Sequence, residues 1–204
     1  MNRTILLALL LSAGTLISLA AKKFHSENFT VDKSQTKLEW YASKVTGKHN
    51  GTINLLSGYI ANTHGSLAGS FEIDMNSIAN TDIESPKMKA KLESHLKSED
   101  FFNVTKYPKA KFVITSVKML SSPGANGATH KITGNLTIKD KTNEISFDAL
   151  VIMAADKMVC TGSAIVDRSK FDVRYGSKTF FENIGDKMID DEFTLKFSVV
   201  AVKH

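Results

Sequence analysis

The segment DEFTLKFSVVAVK, Asp191 to Lys203, puts Phe193, Leu195, Phe197, Val199 and Ala201 on one side of an extended chain and Thr194, Lys196 and Ser198 on the other. A period of two fits a strand with one face turned to a core, whereas a helix would scatter these residues around its circumference. The same period returns in TKLEWYAS, with Leu38, Trp40 and Ala42 in phase, in GTINLLSGYI, and in SLAGSFEIDM, where Leu67, Phe71, Ile73 and Met75 oppose Ser70, Glu72 and Asp74. AKFVITSVKM, THKITGNLTIK, TNEISFDALVIM and KMVCTGSAIVD bring the candidate strands to eight. Turns such as GKHNG and IKDKTN join neighbours closely enough for antiparallel pairing, so a sandwich or a closed barrel is indicated. Closure removes exposed strand edges, and eight strands suffice for it. The expected fold is all-β: an eight-stranded antiparallel barrel.

One stretch breaks the alternation. In SPKMKAKLESHLKSED, Ser85 suits an N-cap and Pro86 the first helical turn, and Met88, Leu92 and Leu96 form one apolar stripe on a lysine-rich cylinder. One amphipathic helix is expected there, and a short second helix or turn at SKTFFENIGD, Ser177 to Asp186. The chain holds 3 prolines and no linker or repeat, which points to a single domain. At the start, Arg3 precedes the apolar run ILLALLLSAGTLI and the small-x-small pattern Ser18-Leu19-Ala20. That run is short for a membrane span of about 20 residues. Residues 1–20 therefore read as a cleaved signal peptide and 21–204 as the domain, exported to the periplasm or the extracellular space. Cys160, the one cysteine, excludes an intramolecular disulfide. The formal net charge of +5 is spread among interleaved acids and bases, a solvated surface and not a nucleic-acid stripe.

Chemistry-bearing patterns are sparse. No Gly-x-Ser-x-Gly elbow occurs, Cys160 lies in phase with Met158, Gly162, Ala164 and Val166 as a buried thiol would, and the 6 histidines never fall at metal-ligand spacing. No catalytic group, metal or cofactor is expected. Arg168 and Arg174 allow two roles: a guanidinium fork for a polar or phosphorylated head at the barrel mouth, or an internal ion pair that pins the loop before SKTFF. Inward faces would carry Trp40, Phe71, Ile73, Phe112, Ile114, Leu136, Ile138, Phe147, Phe193, Leu195 and Phe197, with Phe101 and Phe102 sending rings onto the interior or its mouth. The same side chains serve a solid core or the wall of a cavity.

HLKSEDFFNVTKYPKAKF, GNLTIKDKTNEISF and VDRSKFDVRYGS resemble, in order, three motifs of the YceI-like family. The departures are Asn103 where that family usually has aspartate, and Asp140 and Asp172 where glycine is common. The resemblance runs from about Phe29 to Lys203 and implies a lipocalin-like barrel that encloses a long apolar chain: a polyisoprenoid, an isoprenoid quinone or a fatty-chain amphiphile. It makes the expected function that of a non-catalytic binding protein that sequesters or carries such a lipid, with the apolar residues above and Arg168 as ligand contacts. It leaves a homodimer and transient membrane contact open. The competing readings are a filled-barrel envelope stress or structural protein with a partner-binding surface, and a hydrolase of lipid or small esters.

Overall fold

The computed structural model describes residues 26–182 and 185–203; the proposed signal segment lies outside them. Nine strands follow in order: β1 (Ser26–Val31), β2 (Lys37–Lys44), β3 (Gly47–Thr63), β4 (Ser66–Asn80), β5 (Lys109–Met119), β6 (His130–Ile138), β7 (Lys141–Met153), β8 (Lys157–Asp167) and β9 (Ile189–Lys203). One helix, α1 (Pro86–Lys97), stands between β4 and β5. All pairings are antiparallel, and the ring β3–β2–β9–β8–β7–β6–β5–β4 closes through β3–β4. The eight expected strands are the eight members of that ring.

The ninth segment completes a broken stave. β1 pairs with the far ends of β3 and β9, at Tyr59–Thr63 and Ala201–Lys203, while β2 pairs with their near ends, at Gly47–Thr52 and Ile189–Ser198. Between them Asp32 turns the chain by accepting from the Ser34 N–H and hydroxyl. The Thr36 hydroxyl accepts from the Val200 N–H at 3.1 Å, replacing a ladder bond lost at the break.

Antiparallel order sorts the connections to two ends. The turns at 64–65, 120–129 and 154–156 close one end. The turn at 45–46, the helical stretch 81–108, the turn at 139–140 and the loop 168–188 gather at the other, which is the mouth. The closed end is sealed by Phe29, Met158 and Ala201, each almost inaccessible to solvent.

Ser85 caps α1 through the Met88 N–H, and Pro86 occupies its first turn. No residue of α1 is buried, and Met88 is 53% exposed, so the expected stripe is shortened to Leu92 and Leu96. The helix is fastened instead by polar contacts: the Glu93 carboxylate accepts from the N–H of Asn80, the last residue of β4. Of the short helix or turn expected over Ser177–Asp186, the described residues form a turn, in which the Phe180 and Phe181 N–H groups donate to the Ser177 carbonyl, and a 3-10 turn at Gly185–Lys187. Phe180 and Phe181 stay exposed, so no apolar face drives a longer helix.

Four glycines set the thickness of the wall. A Cβ on Gly51 would lie 2.6 Å from Trp40 Cζ2, one on Gly58 2.8 Å from Phe71 Cδ1, and one on Gly162 2.8 Å from Phe197 Cζ. A Cβ on Gly134 would strike the Phe112 ring and the Val113 carbonyl. Trp40 is the cross-strand partner of Gly51, Phe71 of Gly58 and Phe197 of Gly162. Each ring therefore comes within contact distance of the neighbouring strand beside a position that carries no side chain, and at Gly51 the Ala79 carbonyl also crowds that position.

Gly162→Ala is expected to force the Phe197 ring inward and to cost about 1–3 kcal/mol. Urea unfolding checks this as a lower midpoint at unchanged m-value. In a Phe197→Leu background the same substitution should cost less, and the difference is the coupling between wall and ring.

Candidate functional site

Inside the barrel are two apolar chambers. The upper, about 440 Å³, lies under the mouth; the lower, about 120 Å³, lies towards the closed end. Ile73, Leu136, Val166 and Leu195 line both, forming a waist between them. Strand β9 contributes from Ile189 in the upper chamber to Val199 in the lower. That stretch measures roughly 33 Å along the strand at about 3.3 Å per residue, or roughly 25 Å along the barrel axis at a tilt of about 40°.

All fourteen side chains singled out from the sequence line this interior. Trp40, Phe101, Phe102, Ile138, Arg168 and Phe193 line the upper chamber, Phe71, Phe112, Ile114, Phe147 and Phe197 the lower, and Ile73, Leu136 and Leu195 the waist. The aromatic residues of the lower chamber form a chain of ring contacts, Phe71 to Phe112, Phe112 to Phe147 and Phe147 to Phe197, with centroids 6.4, 5.7 and 5.2 Å apart. Trp40 is held on the wall by its indole N–H, which donates to the Thr52 carbonyl at 3.3 Å.

The adjacent phenylalanines differ in role. Phe101 is 6% exposed and belongs to the core near the mouth, with its ring against His95, Tyr175 and the Arg168 guanidinium. Phe102 is half-buried and packs on the outside of that cluster. Backbone bonds from Phe102 and Val104 to the Leu96 and Lys97 carbonyls join the turn to the end of α1. The helix thereby brings Leu92, His95 and Leu96 over the upper chamber.

Arg168 is 4% exposed and its fork is occupied. Nε donates to the Asp190 carbonyl, Nη1 to those of Val173 and Tyr175, and Nη2 to that of Ile189, all within 3.0 Å. Nη2 also lies 3.4 Å from Asp191 Oδ1. These contacts tie the loop after β8 to the start of β9, which is the pinning role. A head group would have to displace these four carbonyls from the guanidinium. Burial pulls the Arg168 pKa down, against the opposing pull of Asp191. Burial alone would raise Asp191, but hydrogen bonds from Ser177 and Thr179 and the Arg168 charge hold its carboxyl below the usual range. Arg174, by contrast, is exposed and pairs with Asp172. Asp172, where glycine is common in the resembling motif, takes a left-handed φ of 58°, a conformation that aspartate tolerates.

The polar remainder of the upper lining sits at the rim: Ser43, Lys44, His49, His95, Tyr175, Asp186, Lys187 and Asp190. A carboxylate or backbone partner for His95 follows from its place on the helix, whereas the partner of His49 does not. His49 Nδ1 lies 2.9 Å from Asp82 Oδ2 and His95 Nε2 3.1 Å from Asp100 Oδ2. The first pair is separated by 33 positions and carries no local signal. Cys160 lines the lower chamber, where burial pushes its thiol pKa up to about 12, so it is protonated and unreactive at neutral pH. Among the described residues no group of three or more His, Cys, Asp or Glu is placed to hold a metal ion. The chambers can bury an apolar chain, and they present no activated nucleophile to it.

Residues 29–201 match the YceI-like domain. Over 67 residues the sequence is 40% identical to protein YceI of Shigella flexneri and 42% identical to a UPF0312 protein of Pseudomonas aeruginosa. Each match covers 33% of this chain and 32% of the relative, so it spans about a third of the relatives' own length. The fold is similar to that of BcnA from Burkholderia cenocepacia, with a TM-score of 0.64 at 23% identity over 84% of this chain and 99% of the other. It is also similar to a polyisoprenoid binding domain from Saccharophagus degradans, described as implicated in plant cell wall breakdown, with a TM-score of 0.62 at 15% identity over 88% and 100%.

Phe101→Ala is expected to cost about 3–5 kcal/mol, as for large buried aromatics, and Phe102→Ala distinctly less. Arg168→Ala, which strands the Asp191 charge and four carbonyls, should cost about 3–5 kcal/mol. Thermal or urea unfolding of the three variants ranks them. Asp191 adds an acid limit: with its pKa depressed on folding, its contribution is full above the ordinary carboxylate value near 3.9 and is lost as pH falls below it. Asp191→Asn should therefore flatten the loss of stability on acidification, and urea midpoints across that pH range measure it.

Proposed function

The chain belongs to the YceI-like domain family, and from that premise we propose that it is a non-catalytic binding protein that takes a long-chain isoprenoid or similar amphiphile into the barrel. The observation that carries this reading is the paired apolar interior. Its larger chamber, about 440 Å³, falls within the range of about 300–1,000 Å³ typical of ligand sites, and across four shared apolar residues it adjoins a second chamber of about 120 Å³. Each CH₂-sized unit moved from water into such a lining gains about 0.8 kcal/mol, so affinity grows with chain length and needs no bond-making group. Apart from Arg168, whose donors are occupied, the polar residues of the upper chamber lie at the rim, which suits a ligand with one polar end held outermost.

The neighbour named as a polyisoprenoid binding domain adds support through shared fold alone. The signal-like start of the chain supports export, and a carrier of this kind would sequester or move its lipid through the aqueous space of the cell envelope. Leu92, His95 and Leu96 of α1 cover the upper chamber without any residue of the helix being buried, which suits a cover that yields when the lipid enters.

Native mass spectrometry of protein purified gently from its host, followed by organic extraction, tests the reading. A single co-purifying amphiphile per chain is expected. After extraction, adding a prenyl chain at about 100 times Kd should stabilise the fold by about 2.7 kcal/mol, a rise in Tm of about 5–11 °C. Absence of both lipid and stabilisation would favour the filled-barrel alternative.

A further inference from the structure

We propose that His49, oriented by Asp82, accepts a hydrogen bond from the hydroxyl of a long-chain alcohol seated in the upper chamber; the proposal rests on the carrier reading and names its head group. His49 lies on β3 opposite Ala42 of β2, and residues paired across antiparallel strands share a face. Ala42 lines the upper chamber, as do His49 itself and Ile53, an even number of residues further along β3. The imidazole is therefore directed inward at the rim.

Its orientation is built at some expense in buried polarity. Asp82 accepts from His49 Nδ1 through one oxygen and from the Asn50 N–H and the Asn80 amide through the other, at 2.8 and 2.6 Å. Asn80 is wholly buried, and its remaining groups are bonded to the Asn50 carbonyl, the Ile83 N–H and Glu93 of α1. Burial would raise the Asp82 pKa, but these donors hold it below the usual carboxylate range, so Asp82 is a committed acceptor. In the tautomer that donates Nδ1–H to this carboxylate, Nε2 carries the lone pair and faces the chamber. The edge left to the chamber is then an acceptor, and its complement is a donor.

The other head-group classes find less. Arg168, the one guanidinium in the lining, has four donors on backbone carbonyls and faces Asp191 with the last. Lys44 and Lys187 at the rim are matched in number by Asp186 and Asp190, leaving no excess positive charge for a phosphate or carboxylate. A ketone or an ether brings only acceptors, which the Nε2 lone pair repels. Of these heads, an alcohol supplies the proton.

Geranylgeraniol and its methyl ether share the chain and differ in that proton, so their affinities for the extracted protein test the proposal. The alcohol should bind about fivefold more tightly, the size expected of one neutral hydrogen bond, and His49→Phe should remove the difference. Because that variant could fail to fold, the unmodified protein labelled with nitrogen-15 histidine gives a second readout: the alcohol should shift the His49 Nε2 resonance and the ether should not. Equal affinities with an unmoved Nε2 resonance would overturn the head-group assignment and leave the carrier reading standing. Failure of both compounds to bind would remove the carrier reading and this assignment with it.

Discussion

The interior of this barrel depends on where its aromatic rings rest. An eight-stranded barrel is narrow enough for inward side chains to fill it, and this one directs Trp40, Phe71, Phe112 and Phe197 inward from four strands. What keeps these rings out of the lumen is the absence of a side chain beside each. Gly51, Gly58, Gly134 and Gly162 leave bare backbone on the neighbouring strand, and the rings pack close beside it. The rings still gain burial and close packing, but on the wall, and a central space remains. A strand glycine has an entropic cost and no side-chain packing of its own, so three of them opposite inward rings and a fourth diagonal to one amount to a structural commitment to a hollow core.

The mouth is built on the opposite principle. There the chain places polar groups deep and satisfies nearly all of them: Arg168 binds four carbonyls, and Asn80 links β3, β4, Asp82 and α1. Such buried hubs contribute little net stability compared with apolar packing, but once formed they permit one arrangement of the loops. They hold the loop 168–188 and the helix around an opening that apolar packing would tend to collapse. The lumen is open because glycine makes its wall thin, and the mouth is open because hydrogen bonds hold its segments apart.

Much of this was legible in the sequence, and the reason is the period of two. In β9 the inward set Phe193, Leu195, Phe197, Val199 and Ala201 follows from alternation alone, and the eight members of the closed ring follow from eight such runs. β1 escaped notice because six residues carry too few alternations, and its place beside β2 in one stave depends on pairings with chain ends far away in sequence. At SKTFFENIGD the sequence allows a short helix or a turn, and the turn forms because Phe180 and Phe181 stay in solvent and supply no apolar face. Hollow and filled barrels share one alternation pattern, so periodicity could not choose between them. The glycines that decide it were visible, but their meaning needs the strand register, which sets Gly51 against Trp40 and Gly162 against Phe197. Arg168 left two roles open because its partners are main-chain carbonyls, which every residue has, and His49 finds Asp82 only after β3 and β4 have closed the ring.

The central claim is that a long apolar chain occupies the space beside these wall-held rings. Trp40, the one tryptophan of the chain, lines the upper chamber and so reports on it directly. The decisive measurement is quenching of its fluorescence by a brominated long-chain amphiphile, whose bromine acts only on contact. The hollow barrel predicts saturable quenching at one equivalent, reversed by an unlabelled prenyl chain. Quenching that rises linearly without saturation, and that no competitor reverses, would mean that the chain never enters and that the interior is closed to it.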